Sequence, residues 1–573
     1  MNSIESQLSD WSARAFREAF PGEDLSVASI GVSPTVDESF GDYQCNAAMG
    51  LARILRKKPR DIAQAAIDAS GSHPLIAGVE IAGPGFINIT LNDSELAGYL
   101  ENLQADKRLG TPQPGGGRTI VMDYSSPNVA KPMHIGHIRS TVIGNALDRM
   151  YRFLGYRVIA DNHIGDWGTQ FGLLILGYRH FLDRDSMERS PVEELERIYV
   201  KSYERSQEDE AWRNQARAEL VKLQKGDPEN VALWEKFVGL SMSEFEKIYQ
   251  RLDVSFDVVN GESHYRDCLA GIVDELEEKG HAVESEGAMV VFLDDLKLPP
   301  CIVRKSDGGF NYATTDLATI RYRIEKYHPD AIVYVTDERQ QLHFRQIFAI
   351  AERMGCSSRM EHVWFGLMRL PEGTFSTREG NVIRLERLLD EAVTRALSIV
   401  RETSPDMSAE KQEAIAEAVG IGAVKYADLS QHPQSVVTFK WEKALALDGN
   451  SAPYLQYACA RIASVRDKYA ERHPDVDPSD YPVRLDHPME RRLAMRLVRF
   501  PEAVTRAANQ FKPNILAEYL YEISQAYSTF YQNVPFLKAE DGVRESRMRM
   551  CILTESTLRL GLNLLGIKTP DRI

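Results

Sequence analysis

No stretch of this chain is apolar for long enough to cross a membrane as a helix. The opening Met1 to Phe20 mixes Glu5, Asp10, Arg14, Arg17 and Glu18 with apolar residues, an amphipathic start without the pattern of a signal peptide. The six cysteines (Cys45, Cys268, Cys301, Cys356, Cys459 and Cys551) are scattered and include no CxxC pair. That argues against a disulfide framework or a structural zinc site, so no protein-bound metal is expected; free thiols in a reducing cytoplasm are the expectation. Positive charge is in short supply as well. A net charge of −15 argues against a nonspecific nucleic-acid coat. It leaves room for a local basic face, and residues 484–573 carry a modest excess of Lys and Arg. There are no internal repeats and no low-complexity segments.

What is present is the length and patterning of a folded protein of several domains, about three or four at ~150 residues each. Residues 1–110 read as a separate α+β domain. A helical run from Leu51 to Ala66 precedes a turn and alternating apolar residues, Val79 to Ile89. Thr111-Pro112-Gln113-Pro114-Gly115-Gly116-Gly117 is Pro/Gly punctuation, the clearest boundary. From Thr119 the pattern becomes strand (Thr119–Tyr124), helix (Ile138–Leu154), strand (Tyr156–Asn162), the alternation of a parallel sheet. A charge-rich helical insertion occupies about 185–250. Strand patterns resume at Ala288–Leu293, Cys301–Lys305, Ala331–Asp337 and His362–Leu370. The predicted class is α/β: a Rossmann-like parallel-sheet domain over 118–385, a connecting helical region over 386–445 and a C-terminal all-α bundle over 446–573.

At the end of the first strand of that sheet stands Ser125-Ser126-Pro127-Asn128-Val129-Ala130-Lys131-Pro132-Met133-His134-Ile135-Gly136-His137. In parallel sheets ligands bind outside the carboxyl ends of the strands. A helix start there offers backbone N–H groups and a positive dipole end, suited to phosphate. His134 and His137 can add hydrogen bonds to phosphate oxygens, and Gly136 leaves room for a nucleotide against the backbone. A histidine pair at an ordinary turn would mean little. Here it follows a strand, opens a helix and brackets a glycine, which points to an ATP site.

The string from Ser125 through His137 to Ile138-Arg139-Ser140-Thr141 resembles the HIGH signature of class I aminoacyl-tRNA synthetases in the form found in the arginyl family. Other stretches agree. Phe40-Gly41-Asp42-Tyr43-Gln44 and Ala82 to Asn88 are similar to that family's N-terminal domain, which binds the tRNA elbow. Gly165-Asp166-Trp167-Gly168-Thr169-Gln170-Phe171-Gly172, Phe256-Asp257 and Gly261-Glu262-Ser263 resemble its catalytic domain. Asn450 to Ala458 and the closing Gly561 to Arg572 resemble its anticodon-binding domain.

The resemblance implies activation of L-arginine by ATP, with Mg2+ accompanying the nucleotide, and transfer to the 3′ end of tRNA(Arg) by a cytoplasmic monomer. It implies that His134, Gly136 and His137, with Ser376 and Thr377, hold ATP. It implies that Asp123, Asn128, Tyr312, Asp316 and Gln340 hold arginine, with Asp316 on the guanidinium and Asp123 on or supporting the α-amino group. A carboxylate suits this task because it accepts the planar guanidinium fork bidentately, which lysine cannot imitate. Taken by itself, Asp316 would read as a helix N-cap and Tyr312 as a core aromatic. The departure is in the second class I signature. Thr374-Phe375-Ser376-Thr377-Arg378-Glu379-Gly380-Asn381-Val382 lacks both signature lysines. A leaving pyrophosphate needs a cation, so Lys131 or Arg378 is expected to supply it. In the tail, Tyr454, Gln456, Tyr457, Arg461 and Phe530 are candidates for stacking and hydrogen bonding to anticodon bases, alongside their simpler reading as bundle core. A class I synthetase of other specificity, or a noncatalytic tRNA-binding or arginine-sensing relative, stays open on the sequence alone.

Overall fold

A computed structural model describes residues 2–25, 30–35, 37–370 and 384–572. The chain divides into two compact units, one of residues 1–114, 447–563 and 568–573, the other of residues 115–446 and 564–567.

The first unit joins the two ends of the chain. Its N-terminal part is a four-stranded antiparallel sheet, in the order β1 (Val32–Pro34), β2 (Tyr43–Cys45), β4 (Phe86–Leu91), β3 (Ile76–Ala82), with helices beside it. The expected helix Leu51–Ala66 is two helices, Ala47–Leu55 and Pro59–Ala69. Arg56 breaks the run with a left-handed φ of 49°, and Pro59 opens the second helix where its missing N–H costs nothing. Within this unit the N-terminal part is tied to the C-terminal helices by ion pairs. Arg491, on the helix Pro488–Leu497, donates to both oxygens of Asp42 at 2.9 and 2.8 Å and to Asp93 at 2.7 Å. The rest of this unit is helical: Ala452–Arg472, Pro488–Leu497, Phe500–Asn509, Pro513–Asn533 and Val543–Leu564.

The second unit holds β5 (Thr119–Asp123), β6 (Arg157–Asp161), β7 (Ala282–Ser285), β8 (Ala288–Leu293), β9 (Leu298–Arg304), β10 (Ala331–Asp337) and β11 (Arg359–Phe365), with the short pair β12 (Met368–Arg369) and β13 (Val437–Thr438). Its main sheet is parallel in the order β11-β10-β5-β6. All five residues of β5 are buried, as befits a strand covered on both faces. The chain leaves β5 toward β6 through the helix Ile135–Phe153, and β10 lies on the other side of β5. That reversal makes the carboxyl ends of β5 and β10 a topological switch point, where such sheets bind ligands. The insertion consists of the helices Arg184–Arg189, Pro191–Glu208, Glu210–Gln224 and Pro228–Leu252. The helices Leu385–Thr403 and Ala409–Leu429, expected as a connector, belong to this unit with the sheet. No helix among the described residues is long and apolar enough to cross a membrane.

Candidate active site

The helix after β5 starts three residues earlier than its apolar pattern predicts, because the two histidines cap it. His134 is the N-cap: its Nδ1 accepts the Gly136 amide at 3.0 Å, and the Nδ1 of His137 accepts the His134 amide at 3.0 Å. This is a capping box built from imidazoles in place of Ser/Thr and Glu. It corrects one expectation. Two of the amides at this helix start are taken by the protein's own rings instead of being open to phosphate. Both Nδ1 atoms are acceptors, so the ring proton sits on Nε2 and the outward nitrogen is a donor. Burial lowers the His134 pKa, helped by the charges of Lys131 and Arg339. Burial, with the neighbouring His134, pushes His137 down to about 3. The pair therefore presents two neutral N–H donors with ring centroids 3.9 Å apart. Gly136 has a structural reason of its own here. A Cβ at this position would lie 2.7 Å from the His134 ring, so glycine makes room for the capping imidazole.

Ahead of the histidines the backbone is strained. Ser125, Ser126 and Ala130 have φ values of 73°, 47° and 61°, the left-handed region that non-glycine residues avoid. The surrounding structure holds them there. The Ser125 amide donates to Ser140 Oγ at 2.8 Å, the Ser126 amide to Asn162 Oδ1 at 3.0 Å, and the Ala130 amide to Ser241 Oγ at 2.9 Å. Asn128 forms a parallel bridge with Gly165, where a Cβ would lie 2.2 Å from the Asn128 side-chain oxygen. Ser126, Asn128, His134 and His137 line one cavity of about 280 Å³ with Arg339 and Gln340, which follow the carboxyl end of β10.

Register sets Asp123 of β5 directly beside Asp161 of β6. Two buried carboxylates at that spacing repel, and the fully buried Arg323 resolves it, reaching Asp123 at 2.6 Å and Asp161 at 2.9 Å. Asp123 also accepts Ser126 Oγ at 2.8 Å. Its oxygens are thus engaged with the protein, which favours the supporting role over direct contact with the α-amino group.

A second cluster is acidic. Asp316 lies inside the helix Tyr312–Tyr327, whose N-cap is Asn311, so it is no cap; its carboxylate meets His343 Nε2 at 2.5 Å. Tyr312, at the first position of that helix, is 73% exposed and so no core aromatic. Sequence reasoning missed Glu262 as a site residue. Burial first, then the charges of Asp316 and Asp166, pushes its carboxyl up to about 8. The signal was present in Gly261-Glu262-Ser263. Ser263 donates to Asp166 through its amide at 2.9 Å and its hydroxyl at 2.6 Å, and a Cβ on Gly261 would meet the Asp166 carboxylate at 2.2 Å. Two motifs far apart in sequence thus close around one carboxylate and set Glu262 near Asp316.

Lys131 is exposed, with Nζ 5.2 Å from the centre of the Tyr199 ring on the insertion helix Pro191–Glu208. Ser376, Thr377 and Arg378 lie outside the described residues. Arg139, two residues past His137, is buried. It donates to Asp428 at 2.7 Å, to the Gly366 carbonyl at 2.6 Å and to the Ser435 carbonyl at 3.0 Å. The tail candidates separate. Gln456 is fully buried and donates to the Lys568 carbonyl at 2.7 Å, and Phe530 is core, 4.7 Å from Phe536. Tyr454 is half-buried, its hydroxyl 3.4 Å from Ser528 Oγ. Tyr457 faces solvent, and Arg461 stacks 4.1 Å over Tyr531. Tyr531 lines a groove of about 480 Å³ with Lys468, Arg472 and Phe536. Among the described residues no group of three or more His, Cys, Asp or Glu side chains could hold a metal ion.

Three family models match the chain in series. The arginyl tRNA synthetase N-terminal domain matches residues 2–91, the class I (R) tRNA synthetase catalytic domain residues 99–441, and the DALR anticodon binding domain residues 455–573. An arginine–tRNA ligase of Fusobacterium nucleatum is 44% identical over 574 residues, covering 100% of both chains. One from Azotobacter vinelandii is 43% identical over 95% of each. Among solved structures, arginyl-tRNA synthetase of Plasmodium falciparum superposes with a TM-score of 0.85 at 26% identity, covering 100% of both chains. That of Thermus thermophilus does so with a TM-score of 0.83 at 24% identity, again over both whole chains, a likeness of fold.

Proposed function

The chain belongs to the class I arginyl-tRNA synthetase family, and on that premise we propose how its residues divide the work of an arginine–tRNA ligase. The reaction joins L-arginine and ATP into arginyl-adenylate and pyrophosphate, then moves the arginyl group to the 3′ end of tRNA(Arg). The first step needs no base, because the arginine carboxylate is already a nucleophile. What it needs is alignment and stabilisation of charge on the departing pyrophosphate.

The observation that carries the assignment is the imidazole capping box at the end of β5, opening on the cavity that Asn128 and Gln340 also line. His134 and His137 donate from Nε2 to ATP phosphates. Asp316 and Glu262 take the guanidinium, with Tyr312 at the rim, while Asn128 and Gln340 orient the reacting end. Asp123 acts through Ser126, as the support of the strained turn. Lys131 or Arg378 supplies the charge that the signature loop lacks, and Ser376 and Thr377 complete the nucleotide contacts. Mg2+ enters as part of the nucleotide substrate. The N-terminal part takes the tRNA elbow. Tyr457 and Arg461, with the Tyr531 groove, take anticodon bases by stacking, and Tyr454 adds an edge contact. We read the protein as a cytoplasmic monomer; six free cysteines suit a reducing compartment.

Arginine- and tRNA-dependent ATP–pyrophosphate exchange tests this. The expected result is exchange only with arginine, in the presence of cognate tRNA. No exchange with any tRNA(Arg) would overturn the reading.

A further inference from the structure

Both signature lysines are absent between Thr374 and Val382, so one replacement from Lys131 or Arg378 leaves a second charge to fill. We propose that Arg339 is a catalytic cation of the adenylation step, its guanidinium contacting the ATP phosphates beyond the α-phosphorus and stabilising the pyrophosphate as it leaves. This rests on the reading of the His134–His137 cavity as the ATP site.

Two cationic side chains among the described residues line that cavity, Arg139 and Arg339. Arg139 is buried and committed to Asp428 and to the carbonyls of Gly366 and Ser435. Arg339 has a 75% exposed side chain. It follows the carboxyl end of β10 within the short helical turn Glu338–Gln340, whose N-cap is Asp337. That aspartate holds the guanidinium from one side, Nε at 3.1 Å from Oδ1 and Nη2 at 2.5 Å from Oδ2. A fork gripped along that edge keeps Nη1 and the second hydrogen of Nη2 for another anion. Asp337 is itself anchored, accepting the Arg339 amide at 2.9 Å. Arg339 is close enough to His134 for its charge to help keep that imidazole neutral.

The chemistry balances without proton transfer. An arginine carboxylate oxygen forms a bond to the α-phosphorus, the bond from the α-phosphorus to the bridging oxygen breaks, and its electron pair goes to the pyrophosphate. Arg339 stays protonated throughout. If the pair with Asp337 only stabilised a surface turn, its loss would leave the rate untouched. A donor lost from a charge-stabilising site costs about 10²–10³-fold in rate.

The test is exchange kinetics on the full-length protein with tRNA(Arg), comparing Arg339→Ala, Arg339→Lys and His137→Ala. Arg339→Ala is expected to lower the exchange kcat by ~10²-fold or more and raise the KM for pyrophosphate. Arg339→Lys recovers part of the rate, as a point charge without the fork. The KM for arginine and the single-turnover transfer from preformed arginyl-adenylate stay within threefold of wild type. Because the side chain is mostly exposed, an unchanged melting temperature checks the fold. Exchange within threefold of wild type, or a loss confined to transfer or to the arginine KM, overturns the proposal. If His137→Ala abolishes exchange while Arg339→Ala does not, only the role of Arg339 falls. If neither matters, the ATP site lies elsewhere.

Discussion

The histidine end of the site and the carboxylate end are buried to a similar degree, yet burial moves them in opposite directions. It pushes His137 down to about 3 and Glu262 up to about 8, in both cases by penalising the charged form. At the histidines the neutral form is the useful one. A neutral imidazole whose Nδ1 is occupied can only donate from Nε2, which suits a phosphate and does not trap it. At Glu262 the neutral form is a resting state. A guanidinium must displace the proton before it can bind, so charge appears there only with the cationic substrate. Burial is thus a device for neutral donors at one end and for conditional charge at the other.

The contrast can be broken most sharply at the acidic end. Asp316→Ala should lower kcat/KM for arginine by ~10³-fold or more, since the guanidinium loses its charged partner in a partly desolvated site. Steady-state exchange at varied arginine checks this, and unchanged arginine kinetics would refute the pocket assignment. Next comes the donor end. His134→Asn keeps a good N-cap while removing the Nε2 donor, so exchange should fall ~10²–10³-fold with little change in melting temperature. His134→Ala should lose the rate and about 1 kcal/mol of stability together. A third variant, Lys131→Ala, should cost about 3 kcal/mol of transition-state stabilisation if this lysine acts as the missing cation. A near-wild-type rate would pass that role to Arg378.

The smallest effect is the most specific. Glu262 has a folded-state pKa above its unfolded 4.5, so its contribution to stability is complete below pH 4.5 and is lost as pH rises through about 8. Arginine binding should reverse this by favouring the carboxylate. Calorimetry at pH 7 in buffers of different ionisation enthalpy should show release of part of a proton, abolished in Glu262→Gln. The histidine end runs the other way. With a folded pKa of about 3 against 6.5 unfolded, His137 contributes stability above pH 6.5 that fades as pH falls toward 3.

Much of this was legible in the sequence, and the reasons differ by region. The parallel sheet announced itself through the apolar centres of β5 and β10 and the strand–helix–strand rhythm after Thr119. Helix starts are harder to read, because imidazole caps fall outside the usual Ser/Thr/Asp/Asn signals; the apolar pattern alone starts this helix at Ile138 and not at Ile135. Pro59 was a stop signal hidden inside a run of helix formers. Glu262 lies in a recognisable stretch that says nothing of its charge state, and Arg339 lies in no local pattern. Glu262 becomes unusual only when Asp166 and Asp316 are brought beside it, and Arg339 only when β10 delivers it to the histidines. Arg323 gains its role only once register sets Asp123 beside Asp161.

Tyr249, at the end of the insertion helix Pro228–Leu252, carries one more consequence. Its buried hydroxyl lies 2.9 Å from Ser125 Oγ and accepts Asn162 Nδ2 at 3.1 Å, touching both sides of the strained turn. The four helices from Arg184 onward are therefore no detachable decoration. A chimaera that traded them for a shorter connector would remove the brace on Ser125 and let the turn relax toward ordinary backbone angles. For anyone grafting or minimising this scaffold, the cut must keep Tyr249.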